Sequence, residues 1–175
     1  MSAAVNSTSL LEWWRGPRSA FTLTTDKGVY ALFLRKGLVL AGVTSRDDGL
    51  LYIGKAEGSD GFKGRCHFDA RTKNHSPRKS LAVLLLDKLG LTPVLVSKPN
   101  SASTWGLDQA SDARLSEWMY SNLDLALEVC AEPDRRESEL VARFAPVLNV
   151  NKCEQGVEHR RISALRSSVL TRLKP

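Results

Sequence analysis

Cysteine is scarce in this 175-residue chain: Cys66, Cys130 and Cys153 are odd in number and widely spaced. They form neither a disulfide framework nor a CxxC zinc pattern, which favours a reducing, cytoplasmic setting. Long apolar runs are also missing. No window holds the ~18 uncharged apolar residues that a membrane span needs, so no membrane partner is expected. The start, MSAAVNSTSLLEWWRG, lacks a basic stretch followed by a long apolar run and does not read as a signal peptide. There are no internal repeats and no low-complexity linker, so residues 1–175 are expected to form a single domain. Acid is absent from the C-terminus: from His159 to Pro175 there are Arg160, Arg161, Arg166, Arg172 and Lys174, and no Asp or Glu.

What is present fits a globular protein with a polyanionic partner. Apolar content of 42% and charged content of 25% are ordinary. The net charge of +6 is unevenly placed, because a second basic block holds Lys63, Arg65, Arg71, Lys73, Arg78 and Lys79 against Asp69 alone. Such blocks are the electrostatic footprint of a phosphate-backbone binder, or else a solvated, soluble face.

Patterning implies an α+β frame. Residues 9–15 suit a short helix carrying Trp13 and Trp14, broken at Gly16-Pro17. An apolar strand over 28–35 is followed by an apolar piece at 38–43. Asp48-Gly49 is a turn signal leading into a second strand. A helix is expected from about Phe62 to Arg71. Another starts at Ser76-Pro77 and stops at Gly90. Thr92 to Ser97 reads as a short extended piece. Asp108 to Asn122 reads as an amphipathic helix with Leu115, Trp118 and Met119 on one face. A third strand spans 125–130, a helix runs from Asp134 to Phe144, and a basic helix covers 159–172.

The first strand opens Gly28-Val29-Tyr30 and the second ends Tyr52-Ile53-Gly54. In DRRESELVARFAPVLN, Glu137, Leu140, Val141 and Phe144 follow i, i+3, i+4, i+7 spacing and share a helical face. A carboxylate heading such a stripe needs a positive or hydrogen-bonding partner. A divalent metal would serve, and so would a capping box with Asp134 as the N-cap. The two triplets, with Leu140, Pro146 and Asn149 at three, nine and twelve residues after Glu137, resemble the GIY-YIG nuclease family.

That resemblance extends over about residues 28–150 and implies a small three-stranded antiparallel sheet flanked by helices. The N-terminal helix and the basic C-terminal helix lie outside it. Phe62-Lys63-Gly64-Arg65 matches the family's apolar residue three before a catalytic Arg, and Lys55 after the second triplet also looks like the family. Several members place a His four residues after the Arg. Here that position is Asp69, and His67 lies two away, across a helix. A slip in register would instead align Lys63 with the Arg and His67 with the His. His75 and His159 read as surface residues. Twenty-one residues separate Tyr30 from Tyr52, an insert expected to form an extra turn or ribbon beside the sheet.

The implied activity is metal-dependent endonucleolytic hydrolysis of DNA, double-stranded, with Mg²⁺ or Mn²⁺ held by Glu137. Charge builds up on the phosphoryl oxygens as water attacks, and a cation and Arg65 would neutralise it. Tyr30 would orient or deprotonate the water and Tyr52 would position it. His67 is a candidate base or phosphate contact. Lys55, Lys63, Asn149, Arg160, Arg161 and Arg166 are candidate nucleic-acid contacts. A phenol with pKa ~10 is a poor base at neutral pH, and both tyrosines could simply pack in a core. The alternatives are a non-catalytic nucleic-acid-binding module with the same fold and a nuclease directed at RNA.

Overall fold

The computed structural model describes residues 14–174, except residues 41, 45, 66, 99, 100, 154 and 155. Gly28–Leu34, buried at every position, forms β2 in the middle of the main sheet, where an unbroken apolar run is stable because both faces are covered. With β1 (Arg15–Pro17), β3 (Leu50–Ala56) and β6 (Leu123–Val129) it builds the order β1-β6-β2-β3, with every neighbouring pair antiparallel. The sheet therefore has four strands where three were expected. The extra strand contains Gly16-Pro17, expected to end a helix. At a sheet edge the missing proline N–H breaks no ladder bond. Residues 9–13 of that expected helix lie outside the described residues.

Alternation splits the core in two. Tyr30, Leu32, Leu34 and Leu125 face a large cluster, as does the half-buried Leu127; the cluster includes Leu81 and Leu85 of α1 (Ser76–Leu85) and Leu115 and Met119 of α2 (Gln109–Asn122). Ile162 and Val169 of α4 (Val157–Leu173) complete it. Val29, Ala31, Phe33, Ile53 and Ala126 point the other way, onto Leu140 and Val141 of α3 (Pro133–Phe144). Helices thus cover both faces. The Asp108 side chain caps α2 by accepting from Ser111 N–H at 2.7 Å.

Two elements differ from expectation. The segment 62–71 is not a helix: Gly61–Gly64 is one 3-10 turn, then come irregular turns and a second 3-10 turn, Thr72–Asn74. Two glycines weaken any helix there. The chain is also committed elsewhere, since Phe62 and Lys63 donate their N–H groups to Asp26 O (3.1 Å) and Thr24 O (2.8 Å). The extended piece at 92–97 is β4 (Pro93–Lys98), and its partner β5 (Ser101–Leu107) makes a separate two-stranded ribbon. Of the turn or ribbon expected in the insert, the described residues of 35–49 form turns and irregular chain. Among the described residues no helix is long and apolar enough to cross a membrane.

Candidate active site

Both triplet glycines sit where a side chain would not fit, and Gly54 makes room for Tyr30. Gly54 pairs with Tyr30 across β2 and β3, and a Cβ on Gly54 would collide with the Tyr30 hydroxyl and with the Tyr52 ring. A Cβ on Gly28 would collide with Glu128 O of β6 and with the Phe62 ring. The phenol of Tyr30 therefore lies over the sheet, 3% exposed, with the Tyr52 ring centroid 6.0 Å away.

The Tyr30 hydroxyl is hydrogen-bonded to His67 Nε2, and His67 Nδ1 lies 2.9 Å from His75 Nδ1. The expected helical placement of His67, across a helix from Arg65, does not hold, because the loop is not helical. His75, read as a surface residue, is half-buried and stacked edge-on to His67. Arg78 is wholly buried rather than part of a basic surface. Its guanidinium donates to His67 O (2.8 Å), Phe68 O (3.2 Å) and Asp112 O (2.9 Å), and pairs with the Asp112 carboxylate at 3.3 Å. Asp112 also accepts from Thr72 N–H at 3.0 Å. This network ties the loop carrying Arg65 and His67 to α2. Lys79 leaves the basic block as well, donating to Thr104 Oγ1 and lying over the Trp105 ring.

Electrostatics link the remaining residues. Burial pushes the Tyr30 phenol well above its ordinary pKa; Tyr52 and Glu137 add to this, while Arg65 opposes it. Burial likewise raises Tyr52, with Glu137 next, against Arg65 and Arg166. Burial holds His67 down to about 3, helped by His75, Arg65 and Arg78. In the resting site both phenols and His67 are therefore neutral near pH 7. Arg65 follows the Gly61–Gly64 turn with its side chain exposed.

Glu137 is 5% exposed and accepts a hydrogen bond from Lys152 Nζ at 2.6 Å. The capping box is ruled out: the N-cap of α3 is Glu132, and Asp134 instead pairs with Lys55. Nothing in the sequence pattern signals Lys152. Among the described residues no three His, Cys, Asp or Glu side chains gather as a metal cluster. A lone buried carboxylate fits a hard cation that keeps its waters and takes further oxygens from phosphate, the usual habit of Mg²⁺.

The expected nucleic-acid contacts divide. Asn149 binds the backbone of Ile53 with both ends of its amide. Lys55 pairs with Asp134 and with Glu57 (2.7 Å), and these partners raise its pKa. Lys63, Arg160 and Arg161 are exposed, and Arg161 donates to Gly42 O. Arg166 is half-buried, donates to Ser76 Oγ at 3.2 Å and faces Tyr52 closely enough to affect its titration. His159 is buried, 7% exposed, with Nε2 3.1 Å from Pro146 O, and so is not the solvated residue expected.

No curated protein and no solved structure matches the chain. A family model, that of the GIY-YIG catalytic domain, matches residues 28–170, a span running past residue 150 into α4. It takes in Tyr30, Tyr52, Arg65, His67, Glu137 and Asn149. With Gly54 of the second triplet packed on Tyr30 of the first and that match over most of its length, the chain belongs to the GIY-YIG family of nucleases.

Proposed function

We propose that the protein is a metal-dependent endonuclease that hydrolyses phosphodiester bonds in double-stranded DNA. What supports this reading is the Tyr30–His67 hydrogen bond beside the Tyr52 ring, with Arg65 and Glu137 near enough to act on the titration of both phenols. Mg²⁺ or Mn²⁺ at Glu137 would supply positive charge to the phosphoryl oxygens and the leaving oxygen.

The side chains supply the rest. Tyr30 orients the attacking water and takes its proton. A free phenolate is not available near pH 7, because burial raises the phenol, so Tyr30 must lose its own proton to His67 as it gains one. Arg65 offers fixed, bidentate donors to the phosphoryl group. Tyr52 positions water or phosphate by its hydroxyl. Lys55, Lys63, Arg160, Arg161 and Arg166 hold the backbone of the nucleic acid, and Asn149 holds β3. The free thiols Cys130 and Cys153 suit a reducing, cytoplasmic setting.

Incubation of the full chain with supercoiled plasmid, single-stranded DNA and RNA, with Mg²⁺, with Mn²⁺ or with EDTA, tests the reading. Plasmid nicking and linearisation that EDTA abolishes is the expected result. Cutting of RNA alone would make the substrate RNA. Tight binding without cutting in either metal would make the chain a binding module.

A further inference from the structure

Tyr30, His67 and His75 stand in single file from the sheet to the surface. Tyr30 is 3% exposed and His67 is 4% exposed, while His75 is half-buried. Both histidines are anchored at the backbone. His75 O accepts from Lys79 N–H at 3.0 Å and so opens α1. Arg78 holds the backbone behind His67 through its bond to His67 O. Both contacts of His67 use ring nitrogens, Nε2 toward Tyr30 and Nδ1 toward His75. A neutral imidazole has one N–H and one lone pair, so His67 always donates on one side and accepts on the other.

We propose, on the nuclease reading above, that His75 is the proton outlet of the active site, receiving through His67 the proton that Tyr30 gives up during hydrolysis. In the resting order Tyr30 O–H donates to His67 Nε2, His67 Nδ1–H donates to His75 Nδ1, and His75 keeps its proton on Nε2. As water attacks phosphorus, its proton moves to the Tyr30 oxygen. The Tyr30 proton moves to His67 Nε2, and the His67 Nδ1 proton moves to His75 Nδ1. The new P–O bond forms with the water oxygen's electron pair, and the bond to the 3′ oxygen breaks with its pair on that oxygen. His67 ends neutral, as the opposite tautomer, and His75 ends as an imidazolium that gives its proton to water.

The proton cannot stop at His67. A cation there would be buried among Arg65, Arg78 and the His75 ring, and the same burial and charges hold His67 down to about 3. His75 meets Arg78 and Arg65, which disfavour its protonation after burial itself, but it also feels Asp112 from α2, which favours it. It is the first group in the file that both faces a carboxylate and reaches the surface.

The test uses the full chain, plasmid and Mg²⁺. His75→Gln keeps a hydrogen-bonding side chain that cannot carry the proton, and should lower kcat roughly 10²-fold with DNA affinity in EDTA unchanged. Imidazole should restore part of the rate to His75→Ala and none to Tyr30→Phe. A folded His75→Gln that cuts within about twofold of wild type overturns the outlet while leaving the nuclease reading intact. A wild type that cuts nothing fails the nuclease reading itself. Nitrogen NMR of the histidine rings is a second readout that needs no turnover. His67 should stay neutral from about pH 8 to about pH 5, with its nitrogen shifts following the titration of His75. Shifts indifferent to His75 would show that the rings are uncoupled and overturn the proposal.

Discussion

Asn149 holds both backbone groups of Ile53: its Nδ2 donates to Ile53 O at 2.7 Å, and Ile53 N–H donates to its Oδ1 at 3.0 Å. β3 is an edge strand, and at this position the amide stands where a further strand would be. Tyr52 is the adjacent residue, so the grip also fixes the phenol. Asn149→Ala should leave both groups of Ile53 without these partners, costing about 1–3 kcal/mol in urea unfolding, and should slow cleavage as well. Unchanged stability would show that water satisfies this edge as well as the amide does.

Glu137 and Lys152 make a second testable pair. Glu137→Gln should abolish Mg²⁺-dependent cleavage, by about 10²-fold or more, while DNA binding in EDTA persists. The Lys152 ammonium occupies the same carboxylate, 2.6 Å away. Lys152→Ala should therefore lower the Mg²⁺ concentration giving half-maximal rate. A Glu137→Gln variant that cuts at the wild-type rate removes Glu137 from the chemistry, whatever Lys152→Ala does.

Much of this was legible because local pattern and tertiary role coincide. The unbroken apolar run of β2, the Gly-x-Tyr and Tyr-Ile-Gly triplets, and the helical spacing from Glu137 to Phe144 all describe what the structure buries. The rest depends on long-range partners. Arg78 reads as one cation in a basic block, and its burial is set by Asp112 on another helix. His75 joins the site because the 62–71 segment, pinned to Thr24 and Asp26, does not coil into a helix. β5 alternates only at its end, where Trp105 and Leu107 are buried, and the Ser, Ala and Thr before them carry no strand signal, so its pairing with β4 defines it.

Arg65 and Lys63 differ in what they act on. Both side chains are exposed, but Arg65 acts on the titration of Tyr30, Tyr52 and His67, whereas Lys63 is a cause in none of these shifts. Arg65→Ala should reduce kcat far more than affinity, and Lys63→Ala should weaken binding and flatten its salt dependence. The reverse pattern, measured by single-turnover cleavage and titration binding, would assign the phosphoryl contact to Lys63.

His67 should also make stability depend on pH. Its folded pKa is held down to about 3 by burial first, whereas an exposed histidine takes up a proton near 6.5. Between those values the unfolded chain binds the extra proton, so stability rises with pH and is lost on acidification. The loss from this group amounts to at most about 1.4 kcal/mol per pH unit. His75, also depressed, contributes with the same sign. His67→Gln should flatten the fall in unfolding free energy between about pH 6.5 and about pH 4.5. Parallel wild-type and variant curves would show that folded His67 is protonated in that range.

The arginines of α4 do not form one class. Arg160 and Arg161 are exposed near its start, while Arg166 is half-buried beside Ser76 and lowers the titration of Tyr52. Ile162 and Val169 anchor the helix, so the exposed Arg160 and Arg161 can be changed without removing its packing. Arg160→Gln with Arg161→Gln should leave the protein folded, weaken DNA binding at ~0.15 M salt and reduce the slope of log K against log salt by up to ~2 units. Arg166→Gln should additionally slow cleavage at saturating DNA, because its guanidinium faces a site tyrosine rather than open solvent. Unchanged affinity and slope in the folded double variant would restrict α4 to support of the fold. Unchanged kcat in Arg166→Gln would place that arginine outside the site.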